Sequence, residues 1–117
     1  MKIAVDFDGT IVEHAYPAIG REMRGAFQAL KKLQEQGHQL ILWTYRAGRT
    51  LDLAIRYCQQ NGIEFYAVNA SQPGERFPED GVPRKVDADL YIDDRNVGGF
   101  IGWHRVLQIV EELTKKA

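Results

Sequence analysis

Apolar residues fall along the chain in two alternating patterns: short dense runs, and longer stretches with helical spacing. Ile3 to Phe7 is a short apolar run that predicts a first strand, and Gly9 permits a tight exit from it. Arg21 to Gln36 carries Met23, Phe27, Leu30 and, less regularly, Leu33 on one stripe, so the spacing predicts a helix that Gly37 can end. His38 to Thr44 predicts a second strand, apolar enough to be covered on both faces. Leu51, Ile55 and Cys58 predict a helix from Thr50 to Gln60, stopping near Asn61 and Gly62. Ile63 to Val68 predicts a third strand, and Asn69 to Arg84, which holds every proline after Pro17, predicts a long irregular loop. Ala88 to Asp94 predicts a fourth strand. Val106, Leu107, Ile109, Val110 and Leu113 predict a last helix, with Lys115 and Lys116 near the negative end of its dipole. Phe100 to Trp103 reads as a short edge strand in preference to a simple entry into that helix.

Strands that alternate with helices imply an α/β fold. The expected form is a three-layer α/β/α sandwich around a mainly parallel, Rossmann-like sheet. In such sheets ligands bind beyond the carboxyl ends of the strands, near the point where strand order reverses.

Composition narrows this picture. A chain of 117 residues makes one ordinary domain, with residues 11–20 as a short flap and 69–85 as the irregular loop. Lys plus Arg is 15 and Asp plus Glu is 16, a net charge of -1 that gives no overall basic field for nucleic acid or an anionic membrane. Cys58 is the lone cysteine, so no disulfide forms within the chain, and no run is long and apolar enough to span a membrane. We read a cytoplasmic protein.

The predicted strand ends carry the chemistry. Asp6 and Asp8 lie at the end of the first strand, Thr44 closes the second, and Asp93 and Asp94 close the fourth. An isolated aspartate after a strand is often a turn former or a helix cap. Several held together repel one another unless a cation compensates them, and an all-oxygen set suits Mg²⁺ completed by substrate phosphate. Within such a site one carboxylate can attack phosphorus, and a second can move the leaving group's proton. Thr44 and a lysine, of which Lys85 is the nearest suitable, can hold the phosphoryl oxygens.

These residues resemble the haloacid dehalogenase superfamily of phosphohydrolases. "DFDGT" is similar to its first motif, "LILWT" to its second, Lys85 to its third and "YIDD" to its fourth, over Ile3 to Asp94. The resemblance implies that Asp6 is the nucleophile and forms an aspartyl-phosphate, while Asp8 serves as general acid and then as general base. It implies Mg²⁺ bound by Asp6 and Asp93 side chains and the Asp8 carbonyl, with Asp94 bound directly or through water. Thr44 and Lys85 would hold the phosphoryl group, and Thr10 would brace the motif. Neither interval between motifs is long enough for a substantial cap domain, so the chain looks like a capless member. Specificity then falls to residues 11–20, 46–49 and 69–84, or to another subunit.

Arg46 and Arg49 are candidate readers of a second anionic group on the substrate. His14 lies in the flap within reach of substrate, while His38 and His104 read as structural or surface residues. The expected activity is hydrolysis of a phosphate monoester on a small phosphometabolite, with phosphoprotein and polynucleotide substrates and a homo-oligomer left open. The alternative is a phosphate-binding or phospho-accepting regulatory domain with little turnover.

Overall fold

The computed structural model describes residues 1–115. Its elements run β1 (Lys2–Val5), α1 (Ala26–Glu35), β2 (Gln39–Leu42), α2 (Gly48–Gln60), β3 (Ala67–Val68), β4 (Leu90–Ile92) and α3 (Trp103–Lys115). The sheet order is β3-β2-β1-β4, and every neighbouring pair is parallel. From β1 the chain steps outward to β2 and β3, then returns to the far side of β1. Strand order therefore reverses between β1 and β4, where a crevice opens beyond the strand ends. The Asp6 N–H donates to the Ile92 carbonyl at 2.9 Å, so the two strand ends that carry aspartates are tied together.

Register separates the two faces. Ile3 lies opposite Leu40 and Leu90, and Val5 opposite Leu42 and Ile92. Ile3, Val5, Leu40, Leu42 and Ile92 point into a core shared with Phe27, Leu30 and Leu33 of α1, Ala54 and Cys58 of α2, and Trp103, Val106 and Val110 of α3. All three helices thus cover one face. The opposite face presents Ala4, Ile41 and Ala67, and irregular chain between β3 and β4 covers it through Ala70 and Val86. Right-handed crossovers explain the division: the β3-to-β4 connection runs back across the sheet, which puts it on the side away from α1 and α2.

Several boundaries differ from those the hydrophobic pattern predicts. Helix α1 begins at Ala26, not Arg21, because the preceding residues belong to the flap. Glu13 N–H donates to the Arg21 carbonyl and Met23 N–H to the Ile11 carbonyl, each at 2.8 Å. Gly25 then adopts φ 77, outside the helical region, and the Glu22 carboxylate accepts the Phe27 N–H at 3.1 Å to cap the helix. Strand β3 shrinks to Ala67–Val68, with Ile63 buried in the core as irregular chain. No edge strand forms at Phe100 to Trp103. Gly98, Gly99 and Gly102 all have positive φ, which breaks the extended backbone, and Trp103 begins α3. Lys115 pairs with Glu111 at 3.3 Å, and Lys116 lies outside the described residues. Among the described residues no helix is long and apolar enough to cross a membrane.

Candidate functional site

Alternation along β1 sends Val5 and Phe7 into the helical core and turns Asp6 the other way, to the end of the crevice. Beyond Ile92 the chain turns sharply. The Asp93 carboxylate accepts the Arg95 N–H at 2.9 Å, and the Asn96 side-chain amide donates to the Asp93 carbonyl at 2.7 Å. These local bonds hold Asp93 and Asp94 beside Asp6, and one carboxylate oxygen from each lies within 4.8 Å of the others. All three residues are half-buried.

The cluster is electrostatically uncomfortable, as like charges in a partly dry site must be. Burial, reinforced by the charge of Asp93 and the contact with Asp94, pushes the Asp6 carboxyl from its ordinary 3.8 up to about 8. Asp94 moves the other way. Its own burial works against ionisation, but hydrogen bonds with His14, Asp6 and Asp93 outweigh that and hold it below the usual carboxylate range. Asp94 Oδ1 is buried with no hydrogen-bond partner among the described residues. An orphaned carboxylate oxygen beside two other carboxylates fits a divalent cation with oxygen ligands.

Short polar contacts brace the cluster. The Thr10 hydroxyl, fully buried, donates to Asp6 Oδ2 at 3.2 Å, and the Trp103 indole N–H donates to the Thr10 carbonyl at 2.9 Å. From the flap, His14 Nε2 reaches Asp94 Oδ2 at 2.8 Å. Gly9, at φ 87, lies under that contact, where an added Cβ would run into both Asp94 Oδ2 and His14 Nε2. Only glycine satisfies the conformation and the space together.

Asp8 faces a different partner. Both of its oxygens accept from Arg46, Oδ2 from Nε and Oδ1 from Nη2, each at 2.8 Å. The Arg46 side chain is only 1% exposed. Removing one member of a buried pair like this costs about 3–5 kcal/mol, because the other is left as an uncompensated charge. Arg46, a candidate reader of a substrate anion, has its donors spent inside the protein in this structure. Arg49 is exposed and makes no ion pair among the described residues.

Thr44 sits at the mouth beyond β2, half-buried. Its N–H donates to the Asn69 side-chain oxygen at 2.9 Å, and its hydroxyl oxygen accepts the Arg46 N–H at 3.1 Å. Asn69, at φ 49, thus sets the Thr44 loop from the end of β3. Its signal in the sequence was a polar residue closing an apolar strand. Lys85 does not join the acidic cluster. It is exposed, and its ammonium lies over the Tyr91 ring at 5.3 Å from the centroid, with no ion pair to an aspartate among the described residues. Tyr91 pairs with Ala4, so Lys85 lies along the same sheet face as Asp6 but lower on it.

Fold and site together define an α/β protein with a parallel sheet and a carboxylate cluster at the strand-order reversal. The chain is similar to a solved structure described as the conserved protein coded by a locus from Bacteroides thetaiotaomicron, at 53% identity and a TM-score of 0.90, covering 96% of this chain and 90% of that one. It belongs to the same family as that conserved protein. No protein-family model and no curated protein matches the chain.

Proposed function

We propose that this protein is a capless phosphatase of the haloacid dehalogenase type, with a Mg²⁺ site and a phosphate monoester substrate, most simply a small phosphometabolite. The observation that carries the reading is the convergence of Asp6, Asp93 and Asp94 within 4.8 Å, with a buried, unpartnered oxygen on Asp94. In this reading the irregular chain over Ala4 and Ile41 takes the place of the second helical layer of a three-layer sandwich.

Asp6, Asp93 and Asp94 would hold the ion, which when bound neutralises charge on the carboxylates and on a phosphoryl group. The Asp6 carboxylate attacks phosphorus; the bond from phosphorus to the leaving oxygen breaks, and that oxygen takes a proton. Water then attacks the aspartyl-phosphate, releasing phosphate and regenerating Asp6. Asp8, two residues on, is the group that would move protons in both steps. In the structure it accepts at both oxygens, the arrangement of a base, which suits activation of water in the second step. The Thr44 hydroxyl keeps its proton free to donate to a phosphoryl oxygen. Lys85 would have to leave the Tyr91 ring to assist.

The test is phosphate release across a broad phosphometabolite panel with Mg²⁺, using Asp6→Asn as the blank. A folded Asp6→Asn protein should lose activity by at least about a thousandfold, the scale of losing a covalent nucleophile. Normal turnover by that variant would overturn the mechanism. A persistent phosphoprotein with no phosphate released would favour the phospho-accepting alternative.

A further inference from the structure

Arg46 ties two segments remote in sequence, the Asp8 turn and the flap tip, to the start of α2. Nε and Nη2 hold the two oxygens of Asp8 at 2.8 Å each. Nη2 also donates to the Ala18 carbonyl at 2.7 Å, and Nη1 donates to the carbonyls of Pro17 and Thr50 at 3.2 Å each. A guanidinium has five N–H donors, and these contacts use all of them. Its central carbon also lies 5.0 Å from the Phe7 ring centroid and 5.1 Å from that of Tyr16, so aromatic faces from β1's exit and from the flap add cation–π attraction.

Beyond the packing of Ile19 against the core, the flap tip has little else to hold it. Residues 15–18 are exposed, and among the described residues every hydrogen bond made by residues 15–19 goes to Arg46. The base of the flap is fastened separately, by Glu13 to Arg21 and by His14 to Asp94. We infer that Arg46 is a positioning residue that couples the flap tip to the Asp8 carboxylate, so that whatever displaces Asp8 also releases the tip. The fork geometry is what makes this possible. Lysine has the charge, but it has three donors on one nitrogen and cannot bridge two carboxylate oxygens and three carbonyls at once. The coupling is a property of the free protein. Its catalytic consequence, that Arg46 acts through Asp8 and not on substrate, rests on the phosphatase reading.

Backbone ¹⁵N relaxation of the free protein tests the coupling without any ligand. The wild-type tip, residues 15–18 apart from Pro17, should give order parameters near about 0.85, the value of rigid backbone. Arg46→Lys and Arg46→Gln should drop the tip below about 0.6, while β1 and β2 stay rigid. Asp8→Asn is the decisive variant, since among the described residues its side chain makes no hydrogen bond to the tip; the tip should loosen there as well. Unchanged tip order in either Arg46→Lys or Asp8→Asn overturns the inference, and those two variants decide it if Arg46→Gln fails to fold. In parallel, with para-nitrophenyl phosphate and Mg²⁺, Arg46→Lys should lower kcat about tenfold or more with KM within about threefold, the pattern of lost transition-state positioning. A raised KM with kcat intact would overturn the positioning role and return Arg46 to substrate binding. If the wild type releases no phosphate from any probe, the phosphatase reading falls, and the order parameters still decide the coupling.

Discussion

His14 Nε2 lies 2.8 Å from Asp94 Oδ2, although the two residues are 80 positions apart in the chain. The base of the flap is therefore bonded to one of the carboxylates that would hold the metal. Partners that orient a ligand in this way commonly govern metal affinity about 10–100-fold. Replacing His14 with alanine should weaken Mg²⁺ binding by about tenfold, while His14→Gln, which can still donate to Asp94, should retain most of the affinity. Calorimetric titration of Mg²⁺ into each protein measures this; equal affinity in all three would mean the contact does not orient Asp94.

Asp6 predicts how the metal-free protein responds to pH. Its carboxyl is raised from 3.8 to about 8, chiefly by burial, so the folded chain keeps a proton that the unfolded chain has lost. The stability this group contributes is fully present below 3.8 and is lost as pH rises toward about 8. Asp94, lowered, has the opposite sign, but its effect is confined below 3.8. His38, lowered by burial and by the N-terminal ammonium, acts only below 6.5. Between pH 6.5 and 8 the Asp6 effect stands apart from these two, and the melting temperature in the presence of a chelator should fall. Asp6→Asn should flatten that slope. Saturating Mg²⁺ should raise the melting temperature more at pH 8 than at pH 6.5, because the cation takes over the compensation that the proton supplied.

Gly9 and Gly98 form a matched pair for testing the crowded turn. Both have positive φ, 87 and 96, but a Cβ at Gly9 meets Asp94 and His14, whereas Gly98 has nothing within 4 Å. Gly98→Ala should pay only the backbone cost of about 1–2 kcal/mol and leave Mg²⁺ affinity unchanged. Gly9→Ala should cost more in chemical denaturation and also weaken Mg²⁺ binding, because the new methyl group displaces the two side chains above it. Indistinguishable behaviour of the two variants would contradict the packing described at Gly9.

The strand–helix alternation was readable along the chain because each element carries its own period, and β1, β2 and β4 have dense apolar runs that few other structures accommodate. Their aspartates could be assigned to one end of a parallel sheet for the same reason: the chain direction of each strand fixes which end is the carboxyl end. Element boundaries were harder to read where tertiary contacts overrode the local pattern. Met23 has helical spacing with Phe27, yet its N–H is bonded into the flap, and Gly25 defers the helix to Ala26. Phe100 to Trp103 has the composition of a strand but the backbone of a glycine turn.

What the sequence by itself determined is the set of carboxylates and the strands that carry them, since covalent neighbours place Asp6 after β1 and Asp93 and Asp94 after β4. What only the tertiary structure decided is how each charge is satisfied. Arg46 follows Thr44 and looks available to a substrate until its guanidinium is found facing Asp8, 38 residues earlier in the chain. His14 meets Asp94 only because the flap packs beside it, and Lys85 sets its ammonium over the Tyr91 ring. Local pattern dictates backbone periodicity, but a hydrogen bond or ion pair depends on distance and direction in space. Those are fixed only when segments remote in sequence pack together.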